Sequence, residues 1–525
     1  MKFFNTAGPV NRPEHYKIDP LTRWDLDEIL MLILQEKYFI LHAPRQTGKT
    51  SSLLALRDYL NKGNDYFALY INVEVGQAER NNIENAMEII VSEISSRVND
   101  TELKGILSSI QKEGGAKQLK EAIEALSAFY SKPVVLFIDE IDALIGDTLL
   151  SVLRQIRSGY DKRPSHFPSS IVLCGVRDIK DYRIQTENKE IITGGSAFNI
   201  KAKSLTIGNF TPKEVAELFT QHVEETGQSF ESGVYKKIYD KSGGQPWLVN
   251  AIGYELTYEM KENRNREVSI TLDMVDEAIN RIILSRATHL DQLADKLKED
   301  RVRRIIAPMI LGEESNPVDD DIQYCIDLGL IKRTPRGLEV SNPIYKEIIP
   351  RELTLSRQES FMTRFAPDWL DDEGLIDTNR LFTMFTDFWR ENSDIWGTNI
   401  AGYHEAAPQL VFQAFLQRVA NGKGFIAREF GLGRKRTDIM LKWRSSDRLE
   451  IQKIVVEIKI LTPKDSLESV ITKALTQTAE YSDIVGSTEN HILIFDRDEV
   501  KKEWREKLFK EQREYNGESF TIWGC

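Results

Sequence analysis

The sequence has few of the features that define several large classes of protein. Only three cysteines occur, Cys174, Cys325 and Cys525, and their odd number and wide spacing match neither a disulfide framework nor a zinc ribbon. The longest apolar runs, such as Ile29 to Leu34, are far shorter than the ~20 residues that span a bilayer, and the N-terminus lacks the apolar region of a signal peptide. We therefore expect a cytoplasmic protein that does not enter a membrane.

An excess of positive charge is also absent. Lysine and arginine total 69 against 81 aspartate and glutamate residues, a net charge of −12, which disfavours a general DNA-coating role but leaves room for a local basic groove. At about 150 residues per domain, the 525 residues correspond to about three or four domains.

The first part of the chain alternates short β-rich runs with longer helical patterns, which indicates a parallel sheet with crossover helices. The predicted strands cover residues 38–42, 67–72, 134–138 and 171–174. The pattern then becomes helical, and it opens on a capping box in which Thr211 is the N-cap, Pro212 is the first helical residue and Glu214 is the reciprocal partner. We predict a sheet domain over residues 1–210 and a helical lid over 211–285.

The rest of the chain predicts three further segments. Two helices and a short hairpin give residues 286–355 the element order of a winged helix, and residues 356–395 are predicted to be a linker. Residues 396–525 follow the order α-β-β-β-α-β. The predicted fold class is therefore α/β and multidomain.

A phosphate-binding loop is predicted between the first strand and the helix that follows it. The segment Ala43-Pro-Arg-Gln-Thr-Gly-Lys-Thr50 matches the pattern G-x-x-x-x-G-K-S/T except that Ala43 replaces the first glycine. In this pattern Lys49 neutralises the β and γ phosphates of ATP, and Thr50 offers its hydroxyl to Mg²⁺. The residues predicted to bind the nucleotide here are Pro44, Arg45, Gln46, Thr47, Gly48, Lys49, Thr50 and Ser51. The alternative is a basic strand-to-helix loop without a ligand.

A pair of carboxylates ends the third predicted strand. Asp139 is expected to hold Mg²⁺ through water, and Glu140 to polarise the attacking water. The alternative is that the two residues cap the next helix. Because the loop and the acidic strand occur in order within one predicted sheet, we favour an ATPase-type fold over two separate local explanations.

Further positions extend the predicted nucleotide site. Arg177 follows the next strand and could reach the γ-phosphate, or it could pair with its neighbour Asp178. Pro246, in the lid, could press against the adenine, although a proline at this place more often starts a helix. Arg154 and Arg157 could act as arginine fingers in an assembly, or they could be solvated helix charges.

This order of phosphate loop, Asp-Glu strand, strand-end arginine and lid Gly-x-Pro, followed by the predicted winged helix, resembles the STAND and archaeal-type ATPases related to AAA+ and origin-recognition ATPases. The resemblance covers about residues 1–355. It implies that ATP acts as a switch with slow hydrolysis, and that ligands promote assembly into a homo-oligomer.

A second group of charged residues lies near the end of the chain. Because side chains alternate along a strand, Glu457 and Lys459 project from one face while Ile458 points into the core. A hairpin can bring Asp438 beside them. Two carboxylates with a lysine suit metal-dependent hydrolysis of phosphodiesters, with Mg²⁺ or Mn²⁺ as the ion. The alternative is an exposed hairpin with ordinary solvated charges.

These residues resemble the PD-(D/E)XK nuclease superfamily, as Asp438 and Glu457-x-Lys459. Gln477 and Tyr481 on the next helix match the Gln-x-x-x-Tyr feature of RecB-like nucleases, and Glu405 matches a position where some members supply another metal ligand. The alternative for Glu405 is a charge that complements a helix dipole.

A cluster of basic residues precedes Asp438 and could follow a nucleic acid backbone, or it could be a solvated turn. Its members are Arg428, Arg434, Lys435 and Arg436. The leading hypothesis is an ATP-controlled nuclease that acts on DNA more readily than RNA, with a role in defence against phage or mobile DNA by analogy. The alternative is a nucleotide-switched module that binds nucleic acid or signals without cutting. A third reading is an ATP-driven translocase or mobile-element protein.

Overall fold

The computed structural model describes the greater part of the chain. The described residues are 2–10, 12–185, 191–285, 293, 295–311, 318–335, 337–349, 369–371, 373–391, 412, 415–416, 424–432, 435–444, 451–461, 465–496 and 503–525. The chain divides into two compact units, which we call the first unit (Met1–Asp291 and Pro317–Ile344) and the second unit (Gln292–Asn316 and Tyr345–Cys525). Within the described residues no helix has the length and apolar content needed to cross a membrane.

Strands and helices are numbered along the chain. The strands are β1 (Phe3–Phe4), β2 (His15–Tyr16), β3 (Tyr38–His42), β4 (Phe67–Asn72), β5 (Val134–Asp139), β6 (Ser170–Gly175), β7 (Arg183–Gln185), β8 (Ile191–Thr193), β9 (Lys201–Thr206), β10 (Ile331–Thr334), β11 (Gly337–Val340), β12 (Gly424–Leu432), β13 (Lys435–Arg444), β14 (Ile451–Leu461), β15 (Glu489–Asp496), β16 (Lys510–Tyr515) and β17 (Glu518–Gly524). The helices are α1 (Leu26–Leu34), α2 (Lys49–Gly63), α3 (Ile83–Arg97), α4 (Thr101–Glu113), α5 (Gln118–Phe129), α6 (Gly146–Ser158), α7 (Gly194–Ala197), α8 (Pro212–Thr226), α9 (Val234–Ser242), α10 (Pro246–Tyr254), α11 (Leu272–Leu284), α12 (Asp300–Leu311), α13 (Asp319–Asp327), α14 (Thr378–Glu391), α15 (Leu467–Val485) and α16 (Trp504–Lys507).

The first unit is built on a five-stranded sheet in the order β4-β5-β6-β3-β9. Every neighbouring pair in this sheet is parallel, so the carboxyl ends of its strands lie at one edge. The four predicted strands agree with β3 to β6 to within one residue at each end. Strand β9 has no counterpart among them, because its alternating lysines make it read as a polar segment.

Helices cover both faces of this sheet, which explains why its central strands are apolar along their whole length. One face packs against α2, where Leu53 and Leu56 are buried against strand residues such as Phe39. The other face packs against α3, α5 and α6 in a cluster that includes Ile90 and Leu126. Burial of each such side chain contributes about 1.5–3 kcal/mol, so the strand ends that carry the predicted site stand on a well-packed layer.

Helices α8 to α11 lie in the segment of the first unit that the sequence predicts to be a helical lid, and their role as a lid stays a prediction. The Oγ1 of Thr211 accepts a hydrogen bond from the Glu214 N–H at 3.2 Å, and Glu214 Oε2 accepts one from the Thr211 N–H at 2.7 Å. Pro212 is the first residue of α8. The predicted capping box is therefore confirmed.

The segment predicted as a winged helix is divided between the two units. Helix α13 and the antiparallel hairpin β10-β11, with Ile331 opposite Val340, belong to the first unit. Helix α12 belongs to the second unit. The predicted elements are thus present, and their assignment as a winged helix stays a prediction.

The second unit contains a six-stranded mixed sheet in the order β12-β13-β14-β15-β17-β16. Strands β12, β13 and β14 are antiparallel, β14, β15 and β17 are parallel, and β16 returns antiparallel to β17. The predicted order of three strands, a helix and a strand is present. The hairpin β16-β17 extends this sheet beyond the predicted order.

Helix α14 covers one face of the sheet in the second unit. Its Leu381, Phe382 and Phe385 are fully buried in an apolar cluster with residues of β13 and β14. The predicted linker over residues 356–395 therefore does not extend across this helix, whose apolar side chains recur at the spacing of an amphipathic helix. Helix α15 packs through Ile471 and other residues in a separate cluster with β15 and β17.

Candidate functional site

The predicted phosphate-binding loop connects β3 to α2 in the first unit. Gly48 has a φ of 97°, a left-handed conformation that glycine adopts without the steric cost of a Cβ. Helix α2 begins at Lys49, so its first backbone N–H groups lie at the loop, where they stabilise an anion. The Ala43 N–H donates to the Gly175 carbonyl at 3.3 Å. The loop therefore accommodates Ala43 in place of the first glycine.

The side chain of Lys49 extends back into the loop that precedes helix α2. Its Nζ donates to the carbonyl oxygens of Ala43 at 2.9 Å and Pro44 at 3.0 Å, and the residue is 5% exposed. A buried cation is costly unless a partner compensates it, whereas a solvated basic loop would leave its lysine in water. This geometry favours the phosphate-loop interpretation, because phosphate oxygens are stronger acceptors than the two carbonyls.

The two side chains predicted to hold Mg²⁺ contact each other. Thr50 Oγ1 donates to Asp139 Oδ2 at 2.7 Å, and Asp139 is fully buried. The other carboxylate oxygen, Oδ1, accepts from the Glu140 N–H at 3.0 Å. A hydroxyl beside a carboxylate is a donor set that suits Mg²⁺, so Thr50 and Asp139 would hold the ion. When bound, Mg²⁺ supplies charge neutralisation at the phosphates.

Asp139 has two further neighbours that the motifs do not include. The Tyr70 hydroxyl donates to Asp139 Oδ2 at 2.9 Å. Burial and the Asp139 carboxylate together raise the pKa of Tyr70, and they also raise that of the Cys174 thiol. Tyr70 reads in the sequence as an ordinary strand residue. The parallel register places Asn72 beside Asp139. Knowledge of this strand pairing, which the sequence motifs do not contain, would have identified Tyr70 as a neighbour of Asp139.

Glu140 follows the strand in a left-handed conformation with a φ of 57°. Burial raises its pKa, and the nearby Asp142 carboxylate adds to this rise. A 3₁₀-helix, Ile141–Ala143, begins after Glu140, but the Glu140 side chain makes no capping hydrogen bond with it. The capping alternative therefore does not account for Glu140, and its role as the base stays a prediction.

Arg177 is held by helix α13. Its Nε donates to Asp327 Oδ2 at 3.0 Å, and its second nitrogen is 3.6 Å from Asp320 Oδ1. Asp178 instead accepts from the Lys201 ammonium at 2.6 Å. The alternative in which Arg177 pairs with Asp178 is therefore wrong. Helix α13 supplies the partner of Arg177, and Lys201 is a partner of Asp178.

The end of helix α13 also lies against the phosphate-binding loop. A Cβ added at Gly329, whose φ is 75°, would lie 2.8 Å from the Cβ of Pro44. Only glycine permits this approach, since contacts under 3.0 Å force a shift. Because Asp327 is two residues earlier, one end of α13 contacts both Arg177 and the loop.

The lid reaches the loop through Gln245. Gln245 caps α10 by accepting from the Leu248 N–H at 2.6 Å, and its Nε2 donates to the Gln46 carbonyl at 3.4 Å. Pro246 is the first residue of α10, which agrees with the helix-start interpretation. The predicted contact of Pro246 with adenine stays a prediction.

Arg23 is a second residue that connects the phosphate-binding loop to helix α8, and the sequence analysis does not predict it. It donates to the Thr47 carbonyl at 3.4 Å, and its Nε is 3.6 Å from the Glu214 carboxylate at the start of the lid. Its guanidinium lies 4.5 Å from the Phe210 ring centre. Burial lowers the pKa of Arg23. No local motif marks Arg23, because its partners are all distant in the sequence.

The other predicted residues near the nucleotide site differ in exposure, and Ser51 is buried. Ser51 Oγ accepts from the Val10 N–H at 2.9 Å, so the N-terminal segment contacts the start of α2. Arg45 is exposed, and so are Arg154 and Arg157 on α6.

In the second unit, Glu457 and Lys459 form an ion pair on strand β14. Lys459 Nζ lies 2.8 Å from Glu457 Oε1, and the Glu457 side chain is 5% exposed. Ile458, between them, belongs to the cluster beneath α14. Because β14 lies inside the sheet and Glu457 is buried, the alternative of solvated charges on an exposed hairpin is wrong for Glu457.

The remaining predicted metal ligands are only partly within the described residues. Ile439 of β13 pairs with Val456 of β14, and Asp438 and Glu457 are the residues next to this pair on their strands. The side chain of Asp438 and the whole of Glu405 lie outside the described residues. Among the side chains that are described, no group of three His, Cys, Asp or Glu could hold a metal ion. The side chains of the predicted basic cluster, Arg428, Arg434, Lys435 and Arg436, also lie outside.

The two helix residues predicted beside this site differ in exposure. Tyr481 is buried against Met440 and Val455, and burial raises its pKa to about 12. Gln477 is exposed. Since Val455 and Glu457 are two positions apart on one strand, both point to the face that α15 covers.

Comparison with known proteins supports the interpretation of the first unit. Residues 33–182 match the family model described as an AAA domain. This match includes the phosphate-binding loop, the acidic strand and Arg177. The chain therefore contains a P-loop ATPase domain of the AAA type. No curated protein matches the sequence.

Several solved structures are similar to the chain at low identity. The Walker-type ATPase of Pyrococcus abyssi is 13% identical, with 66% of this chain and 99% of that chain covered and a TM-score of 0.46. Cdc6p from Pyrobaculum aerophilum is 15% identical, with 64% and 93% covered and a TM-score of 0.35. The RuvB Holliday junction branch migration motor of Thermotoga maritima is 14% identical, with 63% and 98% covered and a TM-score of 0.32.

Proposed function

We propose that the AAA-type domain binds and hydrolyses ATP with Mg²⁺, and that nucleotide state controls a metal-dependent nuclease in the second unit. The observation that carries the first part is the hydrogen bond between Thr50 and Asp139 at 2.7 Å. It joins the hydroxyl and the carboxylate that Mg²⁺ needs beside a loop that binds phosphate. Glu140 follows Asp139 directly and would orient the attacking water.

Nucleotide control is supported by the contacts of helix α13. Arg177 lies at the carboxyl edge of the sheet, where a γ-phosphate would lie. In the structure it donates to Asp327, and Asp320 lies 3.6 Å from its guanidinium. A γ-phosphate and these two carboxylates would compete for one guanidinium. ATP binding can therefore shift α13, provided that ATP binds better to the state in which Arg177 is released.

Nuclease activity is supported by the buried pair Glu457 and Lys459. A carboxylate in this setting is costly to bury unless it is paired or bound to a cation. Asp438 and Glu457 each lie next to the pair Ile439 and Val456, so in this proposal β13 and β14 would offer two carboxylates and a lysine at one place. In this proposal Asp438 and Glu457 bind Mg²⁺ or Mn²⁺, with Glu405 as a further ligand, while Lys459 and Gln477 orient the attacking water.

Nucleic acid is the proposed partner of the second unit, DNA before RNA, and a homo-oligomer is the proposed assembly. The basic cluster that includes Arg434 and Arg436 would contact the backbone. We further propose a cytoplasmic location and, by analogy, a role in defence against phage or mobile DNA. The alternative function is a nucleotide-switched module whose nuclease-like end binds nucleic acid or signals without cutting. The ion pair would then serve only the stability of the sheet.

A matrix of cleavage assays tests the proposal as a whole. Single-stranded DNA, double-stranded DNA and RNA would each be incubated with the full chain, with and without ATP, and with Mg²⁺, Mn²⁺ or EDTA. We expect cleavage that requires metal and changes with ATP. Binding of these nucleic acids without cleavage under any condition would favour the alternative.

Glu140→Gln is expected to reduce ATP hydrolysis by about a hundredfold or more, since a general base contributes about 10²–10⁴. ATP binding should change little. Because burial and Asp142 raise the pKa of Glu140, its ionised form is lost at a higher pH than that of an ordinary glutamate. As the pH falls, kcat/KM for ATP hydrolysis should therefore decline at a higher pH than the range in which an ordinary glutamate titrates. A pH profile of kcat/KM measures this. A profile that Glu140→Gln leaves unchanged would contradict this role.

Asp327→Asn is expected to loosen the hold of α13 on Arg177. Removing one partner of a buried ion pair costs about 3–5 kcal/mol, so the melting temperature without nucleotide should fall. ATP would supply a new partner for Arg177, so the rise in melting temperature on adding ATP should be larger than in the unmodified protein. Asp320→Asn is the matched control, because Asp320 is more exposed and 3.6 Å away. Equal ATP-dependent rises in both variants would count against the competition.

A further inference from the structure

Asp139 is held by more groups than the nucleotide motifs explain. Its Oδ2 accepts two hydrogen bonds, one from the Thr50 hydroxyl at 2.7 Å and one from the Tyr70 hydroxyl at 2.9 Å. Thr50 belongs to the loop and would itself be a ligand of Mg²⁺. Tyr70 belongs to β4, so its bond comes from the rigid sheet and not from the loop.

The sheet determines the direction of the Tyr70 side chain. In the parallel register Asn72 lies beside Asp139, and Tyr70 lies beside Phe137. Because side chains alternate, Tyr70 and Asp139 project from the same face of the sheet. The ring is 4% exposed and packs in the cluster that includes Leu53 of α2. Its hydroxyl therefore reaches the carboxylate from within a packed core.

We propose that Tyr70 is a positioning residue for the Mg²⁺ site, which holds the Asp139 carboxylate in a fixed orientation whether or not nucleotide is bound. The inference rests on the proposed function, since it concerns the same metal site. The Thr50 hydroxyl would turn to the ion in the proposed site, whereas the Tyr70 hydroxyl lies on β4, outside the loop. Asp139 Oδ1 accepts from the Glu140 N–H, and its other lone pair would be available to the ion or its water while Tyr70 holds Oδ2. Partners of metal ligands typically change metal affinity by about 10–100-fold.

The test is Tyr70→Phe in the full chain, which keeps the ring and removes the hydroxyl. The measurement is the affinity for a fluorescent ATP analogue, titrated over a series of Mg²⁺ concentrations and in EDTA. We expect the Mg²⁺ concentration for half-maximal tightening of nucleotide binding to rise about tenfold. Affinity in EDTA should stay the same, because the loop and Lys49 are untouched. Mn²⁺ should restore part of the loss, since it binds oxygen and nitrogen ligands without the strict geometry that Mg²⁺ demands.

Tyr38→Phe is the matched control. Tyr38 is a fully buried tyrosine on β3 of the same sheet, and its hydroxyl donates to the Pro168 carbonyl at 2.9 Å. Both variants lose one buried hydrogen bond, so both melting temperatures should fall by similar amounts. Only Tyr70→Phe should change the Mg²⁺ dependence.

Two outcomes would overturn the inference. An unchanged Mg²⁺ midpoint in Tyr70→Phe would make Tyr70 a structural residue, and an equal shift in Tyr38→Phe would attribute the effect to the loss of stability. If the unmodified protein binds nucleotide with no dependence on Mg²⁺, the proposed function fails first. If nucleotide binding depends on Mg²⁺ and Tyr70→Phe has the same Mg²⁺ midpoint as the unmodified protein, only this inference fails.

Discussion

Lys49→Ala is expected to weaken ATP binding by about a hundredfold or more. The Lys49 ammonium is buried in the loop and donates to the carbonyls of Ala43 and Pro44, so it is already directed to where the phosphates would lie. Each hydrogen bond from a cation to an anion contributes about 1.5–3 kcal/mol, and the β and γ phosphates together would accept two. Calorimetric titration with ATP and Mg²⁺ measures the loss.

Lys62→Ala is the matched control for Lys49→Ala. Lys62 lies in the last turn of the same helix and is exposed, so its removal changes the net charge equally without touching the loop. Melting temperatures of both variants would separate lost binding from lost folding. If a folded Lys49→Ala bound ATP as tightly as Lys62→Ala, the assignment of the phosphate-binding loop would be wrong.

The nucleotide motifs could be predicted from the sequence because each of them is local. The loop from Ala43 to Thr50 and the strand that ends at Asp139 each carry their chemistry within a few residues. Their meeting across the sheet follows from strand order, since the carboxyl ends of parallel strands share one edge. This is why the Thr50 to Asp139 contact is the expected one.

The contacts that tune this site could not be predicted in the same way. Tyr70, Arg23 and Asp327 each approach the site from a distant part of the sequence, and each reads locally as a strand, loop or helix residue. Arg177 illustrates the difficulty. Its sequence neighbour Asp178 was the simplest partner, yet Lys201 bonds to Asp178 and leaves Arg177 to helix α13.

In the second unit the sequence predicts strands β12 to β15, although β12 and β13 carry charged residues, and it does not predict the hairpin β16-β17. Strand β14 is apolar at most positions, so charged Glu457 and Lys459 stood out in it. Strand β16 alternates between exposed and half-buried residues and reads as a solvated segment. The predicted linker includes helix α14, although its apolar residues, such as Phe382 and Phe385, recur at the spacing of a helix that covers one sheet face.

Glu457→Gln is expected to abolish metal-dependent cleavage, with a loss of about a hundredfold or more, while ATP binding stays unchanged. Glutamine has the same shape but lacks the charge that binds a divalent cation. The Lys459 side chain is 26% exposed, so its ammonium can turn to water. Glu457→Gln therefore strains the fold less than Lys459→Ala, which would leave a buried carboxylate unpaired. Cleavage of the best substrate in Mg²⁺ and Mn²⁺, together with ATP affinity, provides the measurement.

Glu489→Gln is the control that separates catalysis from stability. Glu489 is a half-buried carboxylate that accepts from Gln452 at 2.8 Å and from Thr378. It is bonded to residues on the α14 side of the sheet, whereas Glu457 lies on the α15 side. Glu489→Gln should lower the melting temperature and leave cleavage intact. If Glu457→Gln cuts as well as Glu489→Gln, the ion pair on β14 is structural, and nucleic acid binding without cleavage becomes the function that the second unit supports.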